Sequence, residues 1–401
     1  MSKSRPVIPA PSRGGSAFGP KAGIHINRFS IPSISLRVNK SRTTTIAVLG
    51  SHSALDVCRG AKDEGFRTLV IVEKGRDKTY AEYFKSKGKL GCVDEVLYVE
   101  KFKDLLTPKV QKILKSKNSI FIPHRSFEVY INDYDAIEKD FPIPLFGNRR
   151  LLRFEERSQK PNQYDLLKKA GIKHPKIFKN PKDIDTLVIV KVQESQRHFE
   201  RAFFLVSSFK DYQRESARLI KEKKVTKEAL KDAVIEEFVL GAQVNFNFFY
   251  STLNNRLELI GTDTRRQTNL DGYLRLRSDY QAQLKDKIDL KFEEAGHIAV
   301  TTLESLLEPA FEIGERFLKA AAEMIPPGVI GPFSLQSVII PGPPKKEIVV
   351  FDISPRMPGS PGIFATPYSG YLYAQPLSMG RRVAMEIKDA QKLNKLKYVT
   401  T

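Results

Sequence analysis

Residues 43–74 leave the chain few ways to begin. TTTIAVLG is an unbroken run of β-branched and apolar residues, the pattern of a strand covered on both faces. It breaks at Gly50-Ser51-His52-Ser53, after which ALDVCRGAKDEG repeats its apolar residues at helical spacing and RTLVIVEK reads as a second buried strand. Strand, helix and strand in about thirty residues make the crossover that parallel pairing requires. The small residues of the turn expose backbone N–H groups at a helix N-terminus, a seat for an anion such as a phosphate. The absence of G-x-G-x-x-G argues against a dinucleotide, and a plain tight strand-to-helix turn accounts for the same residues.

Further strands are expected at Glu95–Tyr98 and Ser119–Pro123, with a Lys-rich helix between them. The segment Ile122-Pro123-His124-Arg125-Ser126 then delivers polar groups to the carboxyl edge of the sheet, where open α/β sheets bind ligands. PLFGNRR closes this unit, which gives an N-terminal parallel-sheet α/β domain over residues 41–150. Residues 1–40 precede it as a flexible basic arm, with seven Lys or Arg, no acid and recurrent Pro, Ser and Gly. An organelle transit peptide would look the same.

Residues 151–401 read differently. LLRFEERSQKPNQYDLLKKAGIKHPK is expected to be a helix ending at Gly171, followed by strands at Leu187–Val192 and Ala202–Ser207. Two charged helices, at 209–222 and 226–233, lead to a strand from Val234 to Val239 that carries Glu236 and Glu237. QVNFNFFYSTLNNRLELIGTDTRRQTNLDGY alternates Asn with Phe and turns at Asn254-Asn255, as an antiparallel meander does. A helix from 308 to 324 stops at Pro326-Pro327-Gly328, and a last helix covers 376–392. Between those helices, GPFSLQSVIIPGPPKKEIVVFDISPR is a hairpin with its turn near Pro344. That turn sets Gln336 opposite Asp352, close enough to share one ligand. A hard cation such as magnesium suits an amide oxygen and a carboxylate, and a hairpin whose polar residues merely face water fits the spacing as well.

Composition narrows the function classes. With 401 residues the chain fits two or three domains, and no apolar run reaches the length of a membrane span. Cys58 and Cys92 are too few for a disulfide framework or zinc site, which favours a reducing, cytoplasmic setting. The arm's seven basic residues leave +13 of the net +20 for the rest, so the excess is spread. An anionic substrate, a lysine-rich solvated surface or nucleic acid would each account for it. No binding motif or aromatic stacking series supports nucleic acid.

From about residue 43 to 395 the chain resembles the archaeal formate-dependent 5-formaminoimidazole-4-carboxamide ribonucleotide synthetases, a branch of the ATP-grasp ligases. The matching phrases are IAVLGSHSALDVCRGAKDEGF, PLFGNRRLLRFE, IEEFVLG, GTDTRRQTNLDG, PPGVIGPFSLQS, VVFDISPR and QPLSMGRRVAMEI. The resemblance implies an ATP-grasp fold, α/β plus α+β, whose two subdomains over 151–401 clamp a cleft beside the N-terminal parallel sheet. It implies that ATP phosphorylates formate and that the amine of an aminoimidazole carboxamide ribotide attacks the formyl phosphate, a step of purine biosynthesis. Magnesium or manganese would be the metal and ATP a co-substrate, and assembly with further copies of the chain is left open.

Residue by residue, the resemblance places Gln336 and Asp352 at the metal and His52, Ser126 and Asn269 at the ribotide, with Arg265 beside them as a phosphate fork. Asp352 stands where the family usually has Glu. Without the resemblance, His52 reads as a helix-start residue and Asn269 as an Asx-turn. Lys191, Glu236 and Glu237 fall on the ATP side, the two acids as ribose ligands or simply as one exposed and one salt-bridged acid. The match breaks after Lys191, where the family carries a glycine-rich phosphate loop. Here Val192–Arg201 reads VQESQRHFER, with no glycine between Gly171 and Gly241. Backbone carrying side chains cannot approach a triphosphate as closely, so Arg197 and Arg201 are the expected side-chain replacements. Arg125, at a position where the family has a small residue, is a second departure. Three functions follow: the formylating synthetase, a diverged ATP-dependent carboxylate-amine ligase with another substrate, or a silent relative that binds a ribotide or a partner.

Overall fold

β1 (Thr45–Leu49) is buried along its whole length because both faces of its sheet are covered. It pairs in parallel with β2 (Arg67–Glu73), which carries β3 (Glu95–Val99) on its far side, and with β4 (Ser119–Phe121) on the other edge. The crossovers are α1 (Ala54–Asp63) and α2 (Pro108–Ser116). Thr107 starts α2 by accepting from Val110 N, with Pro108 in the first turn, where no N–H is needed. After β4 come α3 (Arg125–Ile131) and α4 (Tyr134–Lys139). The computed structural model that gives this architecture describes residues 43–192, 203–284, 287–288 and 290–401.

The expected single helix before Gly171 is two pieces, a short 3-10 turn at Leu152–Glu155 and α5 (Gln163–Lys169). Pro161 has no N–H to continue a helix, and Asn162 starts a new one. Its side chain accepts from Tyr164 N while Asp165 accepts from Asn162 N at 2.8 Å, so two orphan donors are satisfied. A small antiparallel sheet follows, built from β5 (Ile177–Phe178), β6 (Val188–Lys191), β7 (Phe203–Val206) and β8 (Val234–Glu237) in the order β5-β8-β6-β7. Its apolar face is covered by residues of α6 (Phe209–Lys221) and α7 (Lys227–Lys231), among them Leu219 and Ala229.

The third sheet is antiparallel, in the order β11-β10-β9-β12-β13. β9 (Ala242–Ser251) turns into β10 (Arg256–Gln267) through Asn255, whose φ is +50°. The short helices α8 (Thr268–Tyr273) and α9 (Ser278–Leu284) precede β11 (Glu294–Ala299), and α10 (Leu307–Met324) leads to β12 (Gly331–Ile340) and β13 (Glu347–Ser354). The Asn–Phe alternation is a two-faced strand. Phe246 and Phe248 join Phe333 and Leu335 under Ile313 and Phe317 of α10, while Asn245 and Asn247 face the other way with Gln336 and Ser334 opposite them.

After α11 (Tyr368–Tyr373), α12 (Met379–Lys392) returns to the parallel sheet. α1 and α12 touch backbone to backbone. A Cβ on Gly60 would lie 2.1 Å from Arg381 N, and one on Gly380 2.2 Å from Asp56 O. Asp56 accepts from Gly380 N at 3.0 Å, and Arg382 reaches the antiparallel sheet to bind buried Glu258 at 2.7 Å. Leu145 and Thr401 exchange both backbone hydrogen bonds, so the last described residues extend the parallel-sheet unit. Among the described residues no helix is long and apolar enough to cross a membrane.

Candidate active site

The carboxyl ends of β1 and β4 meet at Gly50–Ser53 and His124–Ser126. Gly50 N donates to Ile71 O at 2.6 Å, and a Cβ there would lie 2.8 Å from Val72, so the chain turns sharply and carries His52 into the left-handed region, at φ +50°. Strain of this kind at a non-glycine residue collects at functional sites. His52 stacks on His124 with ring centroids 5.4 Å apart, and Gly359 lies so close that a Cβ there would meet His52 Nε2 at 2.6 Å. His52 nevertheless stays exposed to water. Crowding by protein holds its pKa well below the ordinary histidine value, helped by the cation Arg356, so the ring is neutral at pH 7. Buried His124 is pulled down to about 4, chiefly by burial, and its Nε2 donates to Leu49 O at 2.8 Å. Ser126 Oγ donates to Ser51 Oγ at 3.0 Å.

Behind these residues lies an ion cluster that the sequence did not announce. Arg356 forks onto Glu155, with Nε 3.1 Å from Oε2, and Arg125 donates to Glu128 at 2.9 Å. Burial pushes Glu128 up to about 8, and the neighbouring Glu155 adds to it. Arg125, the departure from the resemblance, is thus committed to carboxylates, with Glu155 and Glu156 each at 3.7 Å.

The polar face of the antiparallel sheet centres on buried Asp263. Its oxygens accept from Asn245 at 2.9 Å, Asn247 at 2.6 Å and His297 Nδ1 at 2.5 Å. Burial alone would lower His297, but Asp263 and Glu294 outweigh it and lift the imidazole to about 9. Arg265 stands opposite His297 in the β10–β11 register, its Nε 3.3 Å from Glu294, and acts electrostatically on both His52 and Asp352. It therefore links the histidine end of the cleft to the carboxylate end.

Gln336 and Asp352 are register partners, as expected, with a bulge between Gln336 and Ser337 that shifts the register running up from the turn by one residue. Gln336 donates to Ser354 Oγ at 3.1 Å and its Oε1 is buried with no hydrogen-bond partner among the described residues. Asp352 is held below the usual carboxylate range, because Arg157 and Lys191 together outweigh the opposing burial. An orphaned amide oxygen beside an ionised carboxylate fits a hard cation. Among the described residues no cluster of three or more His, Cys, Asp and Glu stands ready for a metal, so such a cation would draw its other oxygens from water and a ligand.

Lys191 and Glu236 form a buried ion pair, and Tyr164 donates to the second Glu236 oxygen at 2.7 Å. Glu236 is thereby spent within the protein. Glu237 stays half-buried and accepts from Lys176 N at 3.3 Å, which leaves it the better placed of the two for an outside ligand. Asn269 is exposed in the first turn of α8, a helix where the sequence suggested a turn, because Thr268 N bonds Glu293 O and Asn269 Oδ1 accepts from Lys291 N at 2.8 Å. Arg197 and Arg201 lie outside the described residues. Sequence reading missed Arg157, Tyr164, Asp263, His297 and Arg356; the Asn–Phe alternation was the one signal of the polar face.

A family described as a domain of unknown function, DUF1297, matches residues 211–401, and one described as a protein of unknown function, DUF1246, matches residues 46–178. A 5-formaminoimidazole-4-carboxamide-1-(beta)-D-ribofuranosyl 5'-monophosphate synthetase of Methanopyrus kandleri is 38% identical over 357 residues, 89% of this chain and 95% of that one. The crystal structure of an IMP biosynthesis protein, PurP, from Thermococcus kodakaraensis aligns with a TM-score of 0.64 at 28% identity, covering 89% of this chain and all of the other. N5-carboxyaminoimidazole synthase from Aspergillus clavatus, solved with ADP and 5-aminoimidazole ribonucleotide, shares the fold at a TM-score of 0.54 and 14% identity, over 87% of this chain and 77% of its own.

Proposed function

The chain belongs to the family of 5-formaminoimidazole-4-carboxamide-1-(beta)-D-ribofuranosyl 5'-monophosphate synthetases, and we propose that it makes that product by ATP-dependent formylation of the aminoimidazole carboxamide ribotide. A carboxylate does not acylate an amine unaided. A formate oxygen therefore attacks the γ-phosphorus and ADP leaves; the ribotide 5-amino nitrogen then attacks the formyl carbon, phosphate leaves and the nitrogen loses a proton. No covalent nucleophile of the protein is needed, and the work left to the chain is positioning and charge. The observation that supports this most is family identity along nine-tenths of the chain together with His52 and Ser126 at the carboxyl edge of the parallel sheet.

On the ribotide side, neutral His52 offers one donor, Ser126 a hydroxyl, and Arg265 a charged donor for phosphate. Asn269 stands further along β10's extension. On the nucleotide side, Glu237 suits ribose hydroxyls, and Lys191, Arg197 and Arg201 supply positive charge. Gln336 and Asp352 would hold magnesium or manganese, which neutralises phosphate charge when bound. The glycine-free stretch after Lys191 favours one second reading, a ligase with the same activation step and another carboxylate or amine.

Purified protein supplied with ATP, magnesium, formate and the ribotide should release ADP only when all are present. His52→Ala should raise the ribotide KM by roughly tenfold, the loss of one polar contact with the ligand, and leave the ATP KM unchanged. ADP release with a different acid or amine would establish the second reading. No magnesium-dependent nucleotide binding at all would leave a silent relative.

A further inference from the structure

Asp352 sits where a cation belongs, yet Arg157 already donates to its Oδ1 at 2.9 Å. The guanidinium is mostly covered, at 14% side-chain exposure, and its Nε has no hydrogen-bond partner among the described residues. Arg157 is also fixed at its backbone, where Asn162 donates to its carbonyl at 2.9 Å. Next to it, Lys191 is matched to Glu236. The pocket thus holds Arg157 and Lys191 against Asp352 and Glu236 in direct pairs, with Arg265, itself paired to Glu294, acting on Asp352 as well.

A divalent ion at Gln336 and Asp352 breaks that balance. Arg157 would lose its anion while staying buried, and a buried charge stripped of its partner is strongly disfavoured. The missing negative charge has to come with a ligand, and a polyphosphate brings enough of it. A guanidinium with an unspent N–H suits a phosphate oxygen, since its planar fork can hold two at once.

We infer that Arg157 exchanges partners, from the Asp352 carboxylate in the nucleotide-free protein to a phosphate oxygen of the bound nucleotide, so that metal and nucleotide enter together. This rests on the nucleotide reading above and adds to it a residue and an order of binding. It also gives the site a phosphate donor anchored outside the glycine-free stretch after Lys191.

Binding of Mn2+ alone, followed by electron paramagnetic resonance, and of Mn2+ with the non-hydrolysable analogue AMPPNP, followed by calorimetry, separates the two partners. Arg157→Met frees Asp352, so Mn2+ alone should bind roughly tenfold tighter, whereas Mn2+–AMPPNP should bind roughly tenfold weaker or worse. Arg157→Lys keeps the charge on Asp352 and should leave Mn2+ alone near the parent, with an intermediate loss of analogue. Asp352→Asn in the Arg157→Met background should remove the gain for Mn2+. The exchange is overturned if Arg157→Met leaves both affinities unchanged or moves them in the same direction while Arg157→Lys matches the parent in both. If the parent itself fails to bind Mn2+–AMPPNP at saturation, the nucleotide reading falls and the exchange with it.

Discussion

Glu236→Gln tests the charge balance among Lys191, Glu236, Arg157 and Asp352 most directly. The side chains of Lys191 and Glu236 are 6% and 3% exposed, and the substitution is isosteric, so packing hardly changes while the lysine loses its carboxylate. Removing one partner of a buried pair costs about 3–5 kcal/mol, because the other charge is left uncompensated. Asp352 acts on Lys191 as well, but Arg157 already engages it, so it offsets only part of the difference. The sign of the pH dependence follows from Lys191. Burial already holds its folded pKa below the ordinary lysine value against the pull of Glu236, and losing Glu236 takes it lower. The cost of keeping it charged is full below the folded pKa and is relieved as pH rises through that value toward the unfolded one, ~10.4. Urea unfolding should therefore show a deficit of about 3–5 kcal/mol against the parent at pH 7 that shrinks by pH 9. Adding Lys191→Met removes both charges and should recover most of the loss, as apolar replacement of buried pairs does. A deficit under about 0.5 kcal/mol, one that does not respond to pH, or a double variant as unstable as the single would refute the reasoning.

Gly60→Ala should destabilise the protein by about 3 kcal/mol, the upper end for overpacking, because its methyl meets the Arg381 backbone at 2.1 Å and no side chain is there to yield; chemical denaturation measures it, and a loss below about 0.5 kcal/mol would show that α12 slides freely on α1. Glu128 has a folded pKa of about 8, above the unfolded carboxyl value of ~4.3, so its ionisation cost accumulates as pH rises between those values. Glu128→Gln, neutral throughout, should show a flatter stability profile than the parent from pH 5 to 8, and parallel profiles would mean that Glu128 does not titrate there.

The sequence disclosed those features that local periodicity encodes. A parallel opening followed from buried runs separated by one helix, whereas the pairing of Gln336 with Asp352 was reached with the turn placed near Pro344; the register that runs from the turn through the pair of Ser337 and Val350 would set Gln336 against Phe351, and a bulge between Gln336 and Ser337 shifts it to Asp352. The helix before Gly171 was misread because the reading carried it across 155–163, a stretch with no apolar repeat and with Pro161 inside it, whereas the capping side chain of Asn162 decides the start. Partners brought together across sheets left no local trace. Arg157 meets Asp352 across 195 residues and Arg356 meets Glu155 across 201, and nothing in either segment marks a buried cation apart from a solvated one. His52 could be placed at a strand end from sequence, but the lowering of its pKa comes from crowding by protein and then from Arg356 and His124, which only the folded cleft supplies.

The contact of α12 with α1 sets a timetable for synthesis. Asp56 waits for Gly380, which leaves the ribosome 324 residues later. At ordinary elongation rates that is roughly 15–65 s during which the first sheet exists with one face of α1 bare. The chain's earliest unit is thus closed by its latest segment, and a product released short of residue 379 keeps that face exposed. An incomplete molecule would then be marked for chaperones and proteases by its own surface, before its missing activity could matter.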